Sequence, residues 1–229
     1  MELIYAGKTK NVYRLDNGKL LLKFKDDVTG ENGVFDPGSN SVALSIEGVG
    51  RANLQLSVLF FDELSKRGIH THYVSSDIDK NEMIVLPAHV FGKGIEVICR
   101  YHAVGSFFKR YGSYIEYGAP LTGYVECTLK DDVLGDPLIT SEGLDILGIM
   151  KPEMFDSLKI QTKQIAGIVR EMLALKGLDL FDIKFEFGYV DNEIILIDEI
   201  SSGNMRVYRN NNPLDPMELA SIMLGSSMR

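Results

Sequence analysis

Between Leu180 and Arg206 the chain reads LFDIKFEFGYVDNEIILIDEISSGNMR, and its charged residues fall at spacings that permit phosphoryl chemistry. Asp182, Lys184 and Glu186 alternate with Ile183, Phe185 and Phe187. That two-residue period belongs to a strand with one face in a core and the other in a cleft. The cleft face then carries carboxylate, amine, carboxylate. A second strand, Glu193 to Ile200, is mostly aliphatic until Asp198 and Glu199 interrupt it. A two-residue Asp191-Asn192 turn would set Glu186 opposite Ile197, whereas a three-residue loop, Asp191 to Glu193, sets it opposite Asp198. The three-residue loop is the expectation, which makes Glu186 and Asp198 facing carboxylates. Such a pair suits Mg²⁺, which takes one or two carboxylates plus substrate phosphates rather than a full protein cage. The same residues also suit a surface ladder of salt bridges.

Other candidates lie earlier. Gly7-Lys8-Thr9-Lys10 separates two short strands, and a glycine with flanking lysines at a strand end can wrap phosphates. It is also an ordinary polar turn, and it lacks the G-x-x-x-x-G-K-[ST] spacing of a Walker loop. Arg100 ends an apolar run, with Gly105 and Ser106 at the next turn. A guanidinium, a hydroxyl and a backbone N–H together make a phosphomonoester site, although Arg100 could simply pair with Glu96 or another carboxylate. Lys130, Asp131, Asp132 and Asp136 also read as a solvated turn. His70 and His72 alternate with no third ligand nearby, so both are read as structural.

These residues need a frame. With 229 residues and 45% hydrophobic content, the chain can bury a large core as one domain or two close-packed lobes. A formal charge of −8 argues against a nucleic-acid surface. No apolar run approaches a membrane span, and the start, MELIYAGKTK, lacks the order of a signal peptide. The expected location is the cytoplasm. Cys99 and Cys127 read as reduced core thiols. The opening residues form a meander, Leu3 to Tyr5, Asn11 to Leu15 and Lys19 to Lys25. Phe24 to Gly33 reads as a mobile loop. A helix with Leu54, Val58, Phe61 and Leu64 inward stops at Gly68. Strands follow at Met83–Pro87, Ile95–Arg100 and Tyr124–Lys130, with Ala88–Gly94 irregular. A long helix from Pro152 to Lys176 buries Phe155, Leu158, Ile165, Val169 and Met172 and ends at Gly177.

LFDIKFEFG resembles the second signature segment of the SAICAR synthetase family, two aliphatics then D-x-K-aliphatic-E-F-G, with only Phe181 departing. I-E-V-I-C-R-Y-H-A-V-G-S is similar to the first signature; Glu96, Arg100, Gly105 and Ser106 agree, while Gly94, Cys99 and Val104 depart. The family also opens with strand, G-K-x-K, strand. Its S-P-D, two small residues, R, apolar residue, W is here reduced to Ser201 and Arg206, with Gly203 in place of the Asp and Tyr208 in place of the Trp. Asn204 or Ser202 would be the nearest substitutes for that Asp.

The resemblance implies an α+β fold of two lobes with antiparallel sheets, related to ATP-grasp proteins and kinases, with ATP in the cleft. Residues 1–88 would form the nucleotide lobe and 89–229 the substrate and metal lobe, with a further helix expected beyond Arg229. It implies ATP-driven amide formation between a phosphoribosyl-aminoimidazole carboxylate, CAIR, and L-aspartate. Gly7, Lys8, Lys10 and Glu186 would meet ATP phosphates, and Val85, Leu86 and Ala88 the adenine. Glu186 and Asp198 would hold Mg²⁺. Arg100, Ser106, Arg206 and Asp136 would bind substrate, and Lys184, Lys130 and Asp182 would serve catalysis. Expected partners are small molecules, with a homodimer as the assembly to look for and neither nucleic acid nor membrane. Three rivals remain: a same-fold ligase with another acid or amine, a small-molecule kinase, and a nucleotide-binding protein without catalysis.

Overall fold

The computed structural model describes residues 1–191 and 193–225. The chain opens with β1 (Glu2–Ala6), β2 (Lys10–Arg14) and β3 (Leu20–Phe24), the meander the alternation called for. Next come β4 (Asp27–Glu31), β5 (Val34–Phe35), β6 (Val42–Ser45), α1 (Val49–Lys66), β7 (Tyr73–Asp77) and β8 (Glu82–Val85). The first sheet is antiparallel in the order β1-β2-β3-β8-β7. Its central strand buries Leu22 and Phe24 against α1, whose Ala52, Leu56, Phe60, Phe61 and Leu64 are buried in turn.

The segment read as a mobile loop is instead part of a second, three-stranded sheet in the order β5-β4-β6. Asn32 and Gly33, with φ of 53° and 76°, join Glu31 to its ladder partner Val34. Asn-Gly is the strongest short-range hairpin signal, because both turn positions need positive φ. Helix α1 also starts earlier than its apolar stripe suggested, at Val49.

The rest of the chain adds β9 (His89–Val90), β10 (Ile95–His102), α2 (Gly105–Tyr111), β11 (Pro120–Leu129) and β12 (Leu138–Ile139). It continues with α3 (Ser141–Ile146), α4 (Pro152–Ala174), β13 (Asp179–Val190), β14 (Glu193–Ile197), β15 (Met205–Arg209), β16 (Asn212–Pro213) and α5 (Pro216–Leu224). The eight-stranded sheet runs β12-β11-β10-β13-β15-β16, with β9 and β14 also paired to β13. β13 is thus the strand the others are built around. Helix α4 covers the back of this sheet through Phe155, Leu158, Ile165, Val169 and Leu173. A parallel bridge from Thr71 to Leu196 and the packing of α5 on α1 join the two lobes, which share one large core, with a smaller cluster of Val104, Phe181 and Tyr208 apart from it.

The hairpin register differs from the expected one. Val190 pairs with Glu193 and Glu186 with Ile197, the two-residue connection. Asp191 takes φ 50°, which a short polar side chain tolerates. The second strand ends at Ile197, where Asp198 leaves the ladder.

Candidate active site

On β10, β11, β13 and β15 one face of the sheet carries the chemistry. Arg100 pairs in register with Asp182, and Asp182 with Arg206, so three strands present an Arg–Asp–Arg row. Directly paired residues put their side chains on the same face. Four residues further along β13, Glu186 pairs with Glu96, and Lys184 with Ile98 between them.

At the far end of this face Asp198 rejoins Glu186 despite the changed register. Its φ of 67° breaks the pleat that would otherwise send its side chain to the opposite face. Burial, then the Asp198 charge, raise the Glu186 pKa above the ordinary carboxylate range. Lys130 ion-pairs with Glu186, and Lys10 lies 3.0 Å from Asp198 and pairs with Glu199 as well. Burial works against the Lys10 ammonium, but Asp198 and Glu199 hold its pKa above the usual lysine value. Burial works against the Asp198 carboxylate too, and Lys10 and Lys130 outweigh it. Beneath this cluster the buried His72 bonds through Nε2 to the Asp198 carbonyl at 2.8 Å. Burial pushes its pKa down to about 4, so the ring is neutral and donates. His70 pairs with Glu193 through Nδ1 at 2.6 Å. Glu186, Asp198 and Glu199 bring three carboxylates against two ammoniums, and the surplus negative charge suits a cation. Among the described residues no three His, Cys, Asp or Glu side chains form a metal cage. A pair of carboxylates fits a hard cation that takes its other ligands from elsewhere than the protein.

The near end is built of arginines. Arg100 is 2% exposed. Its Nε donates to Glu126 at 2.8 Å, Nη1 to Asp182 at 2.7 Å and Nη2 to the Ser106 hydroxyl at 2.8 Å. It does not pair with Glu96, which instead accepts from Lys184 at 2.8 Å and from Thr128. Arg206 donates to Asp182 at 2.8 Å and to Asp36 at 2.5 Å, and Arg110 donates to Glu126 at 2.7 Å. Asp36, Arg206, Asp182, Arg100, Glu126 and Arg110 are thus an alternating chain of six charges. Gly105 at φ 52° explains the glycine of the Gly-Ser pair: a Cβ there would lie 2.6 Å from the Arg206 guanidinium carbon. Arg100, Ser106, Asp136, Asp182, Lys184 and Arg206 all line one cleft of about 100 Å³.

Other expected residues sit elsewhere. Lys8 reaches across to Asp132 at 2.6 Å, so the first glycine turn meets the turn after β11. Val85 is a core side chain, the Leu86 N–H donates to the His72 carbonyl, and Ala88 packs at Gly188, all at the junction of the two sheets. Ser202 and Asn204 are not free to substitute for an acid at Gly203. The Ser202 hydroxyl donates to the Asn53 side chain, and the Asn204 amide caps its own turn through Ser201 N–H and the Glu199 carbonyl. Position 203 points toward Ser201 and Glu199 rather than into the cleft. Phe181 and Tyr208, two departures from the family pattern, stack on each other with centroids 3.7 Å apart. Sequence reading missed Asp36, Glu126 and Thr128; alternation along β11 gives a signal for the last two, and none exists for Asp36.

The family model for SAICAR synthetase matches residues 3–217. A phosphoribosylaminoimidazole-succinocarboxamide synthase from Clostridium tetani is 54% identical over 226 residues, covering 98% of this chain and 100% of that protein. One from Finegoldia magna is 36% identical over 211 residues, covering 91% and 86%. Among solved structures, a SAICAR synthetase (Type-2) in complex with ADP superposes with a TM-score of 0.84 at 30% identity, covering 96% of this chain and 97% of that one. The Ehrlichia chaffeensis enzyme superposes with a TM-score of 0.83 at 29% identity, covering 98% and 94%.

Proposed function

The chain belongs to the SAICAR synthetase family, and from that premise we propose how its residues divide the work. It is an ATP-dependent ligase of purine biosynthesis, joining CAIR to L-aspartate to give SAICAR, ADP and phosphate. ATP occupies the cleft between lobes 1–88 and 89–229. The observation that carries the assignment of roles is the single cleft face on which a carboxylate–lysine cluster and an arginine–carboxylate chain sit four residues apart on β13.

A carboxylate is a poor electrophile, so a CAIR carboxylate oxygen first attacks the γ-phosphorus of ATP and ADP leaves. The aspartate amine then attacks the acyl carbon, the C–N bond forms, phosphate departs with the C–O electron pair, and the amine proton passes to solvent. Neither step needs a protein nucleophile; positioning and charge neutralisation suffice. Lys10, with Lys8 and the Gly7 turn, steadies the ATP phosphates, and Val85, Leu86 and Ala88 border the adenine at the sheet junction. Lys130 and Lys184 lie along the path of the transferring phosphoryl group. Glu186 and Asp198 would hold Mg²⁺, which when bound supplies charge neutralisation at the phosphates. Arg100, Ser106 and Arg206 take the 5′-phosphate of CAIR, and Asp136 borders the incoming amino acid. Asp182, shared by both arginines, holds them in place.

Coupled ADP release, measured with CAIR and aspartate each omitted in turn, tests this reading. Full release should need both. ADP without free phosphate would point to a kinase. Among the described residues no helix is long and apolar enough to cross a membrane, which fits enzyme action in the cytoplasm.

A further inference from the structure

Five members of the six-charge chain stand on β10, α2, β11, β13 and β15, but the sixth is delivered from the other lobe. Asp36 sits in the loop between β5 and β6, and its carboxylate takes Nη2 of Arg206 while accepting the Gly38 N–H at 3.0 Å. The hydroxyls of Ser39 and Ser41 pin the same loop to the Gly30 carbonyl at 2.9 and 2.8 Å. Arg206 is pressed between two glycines. A Cβ on Gly38 would lie 2.4 Å from its Nη2, and one on Gly105 2.6 Å from its Cζ. Burial works against the Asp36 carboxylate, but Arg206, the Gly38 N–H and Lys109 hold its pKa below the ordinary value, so it stays charged.

With Asp36 docked, three arginines face three carboxylates; with it undocked, three face two. The loop also lines the cleft through Pro37, Gly38 and Asn40. Resting on the phosphate reading above, we propose that Asp36 is a specificity-determining residue, a built-in carboxylate that occupies Arg206 in the empty cleft and yields it to a phosphomonoester dianion. A free monoanion brings no more charge than Asp36 and must compete with a group already tethered at high effective concentration. A phosphomonoester brings about −1.5 to −2 charges and three acceptor oxygens. When it takes Arg206, Asp36 and its loop leave the guanidinium.

Ribose 5-phosphate, titrated calorimetrically into the full chain, is the probe, with hydrogen exchange at residues 36–41 as a second readout. Asp36→Asn should bind it roughly three- to tenfold more tightly, since a competing ion pair is gone. Gly38→Ala should shift binding the same way, because its methyl group keeps the loop off Arg206 while leaving Asp36 in place. In the wild type the ligand should speed exchange at residues 36–41. Equal or weaker binding by Asp36→Asn, with Arg206→Ala still impaired, overturns this inference alone and makes Asp36 a support for Arg206. An Arg206→Ala variant that binds as the wild type does removes the phosphate reading and this inference together.

Discussion

The two ends of the cleft face are both made of paired opposite charges, but of different cations. At the Glu186–Asp198 end the cations are lysines, Lys10 and Lys130, one at the start of β2 and one just past the end of β11. At the Asp182 end they are arginines rooted in β10 and β15, the first of them 2% exposed. An ammonium on a four-carbon stem can follow a phosphoryl group as it moves, whereas a planar guanidinium forked onto fixed carboxylates cannot. The lysine end therefore suits the phosphate that is transferred, and the arginine end suits one that must stay where it is. Charge composition alone does not distinguish the two ends; the anchoring of each cation does, and the proposed division of roles rests on it.

If the arginine end is a fixed frame, removing its shared carboxylate should damage the fold more than any change at the lysine end. Asp182→Ala leaves the buried Arg100 and the half-buried Arg206 short of a partner, a loss of about 3–5 kcal/mol. Urea unfolding measures it, and a loss below about 1 kcal/mol would show the frame to be loose. At the lysine end the expected damage is to rate. Asp198→Asn should cut turnover by roughly two to three orders of magnitude while the melting temperature stays within a few degrees. Near-normal ADP release at ordinary Mg²⁺ would separate Asp198 from the cation.

The lysine end should also be the acid-sensitive one, because His72 supports it. Folded His72 titrates near pH 4 and the unfolded residue near 6.5, so between these values the unfolded chain binds the extra proton. Stability contributed by neutral His72 is thus complete above pH 6.5 and is lost as pH falls toward 4, by on the order of 3 kcal/mol. His72→Gln should flatten that part of the stability–pH curve; an unchanged slope would place the acid sensitivity elsewhere. The smallest effect is expected from Arg206→Ala, which should weaken CAIR roughly ten- to a hundredfold, in line with about 1.5–3 kcal/mol for a charge-assisted bond. A dephosphorylated analogue should not notice the change, and equal losses for both would give Arg206 a purely structural role.

Much of this was legible along the chain. The period of two over Asp182–Phe187 placed Lys184 and Glu186 on a cleft face, and Gly7, Lys8 and Lys10 marked the first turn without any knowledge of the fold. The strands, the long helix and the capping glycines followed from local sterics and hydrophobic periodicity, which depend only on near neighbours. The hairpin register is not fixed locally, because both a two- and a three-residue loop fit the turn sequence and only the packing of the whole sheet chooses between them. Asp198 reached Glu186 by a left-handed backbone that no sequence pattern announces. The pairing of Arg100 with Asp182 and Glu126 rather than Glu96 needed the register of three strands drawn from positions 95 to 190. Asp36 lies 170 residues from Arg206 in the chain. Local sequence settled which residues could carry charge and on which face they lie. Tertiary structure alone decided which charges meet, because electrostatic partners are chosen by distance in space and burial, and neither is a property of a segment.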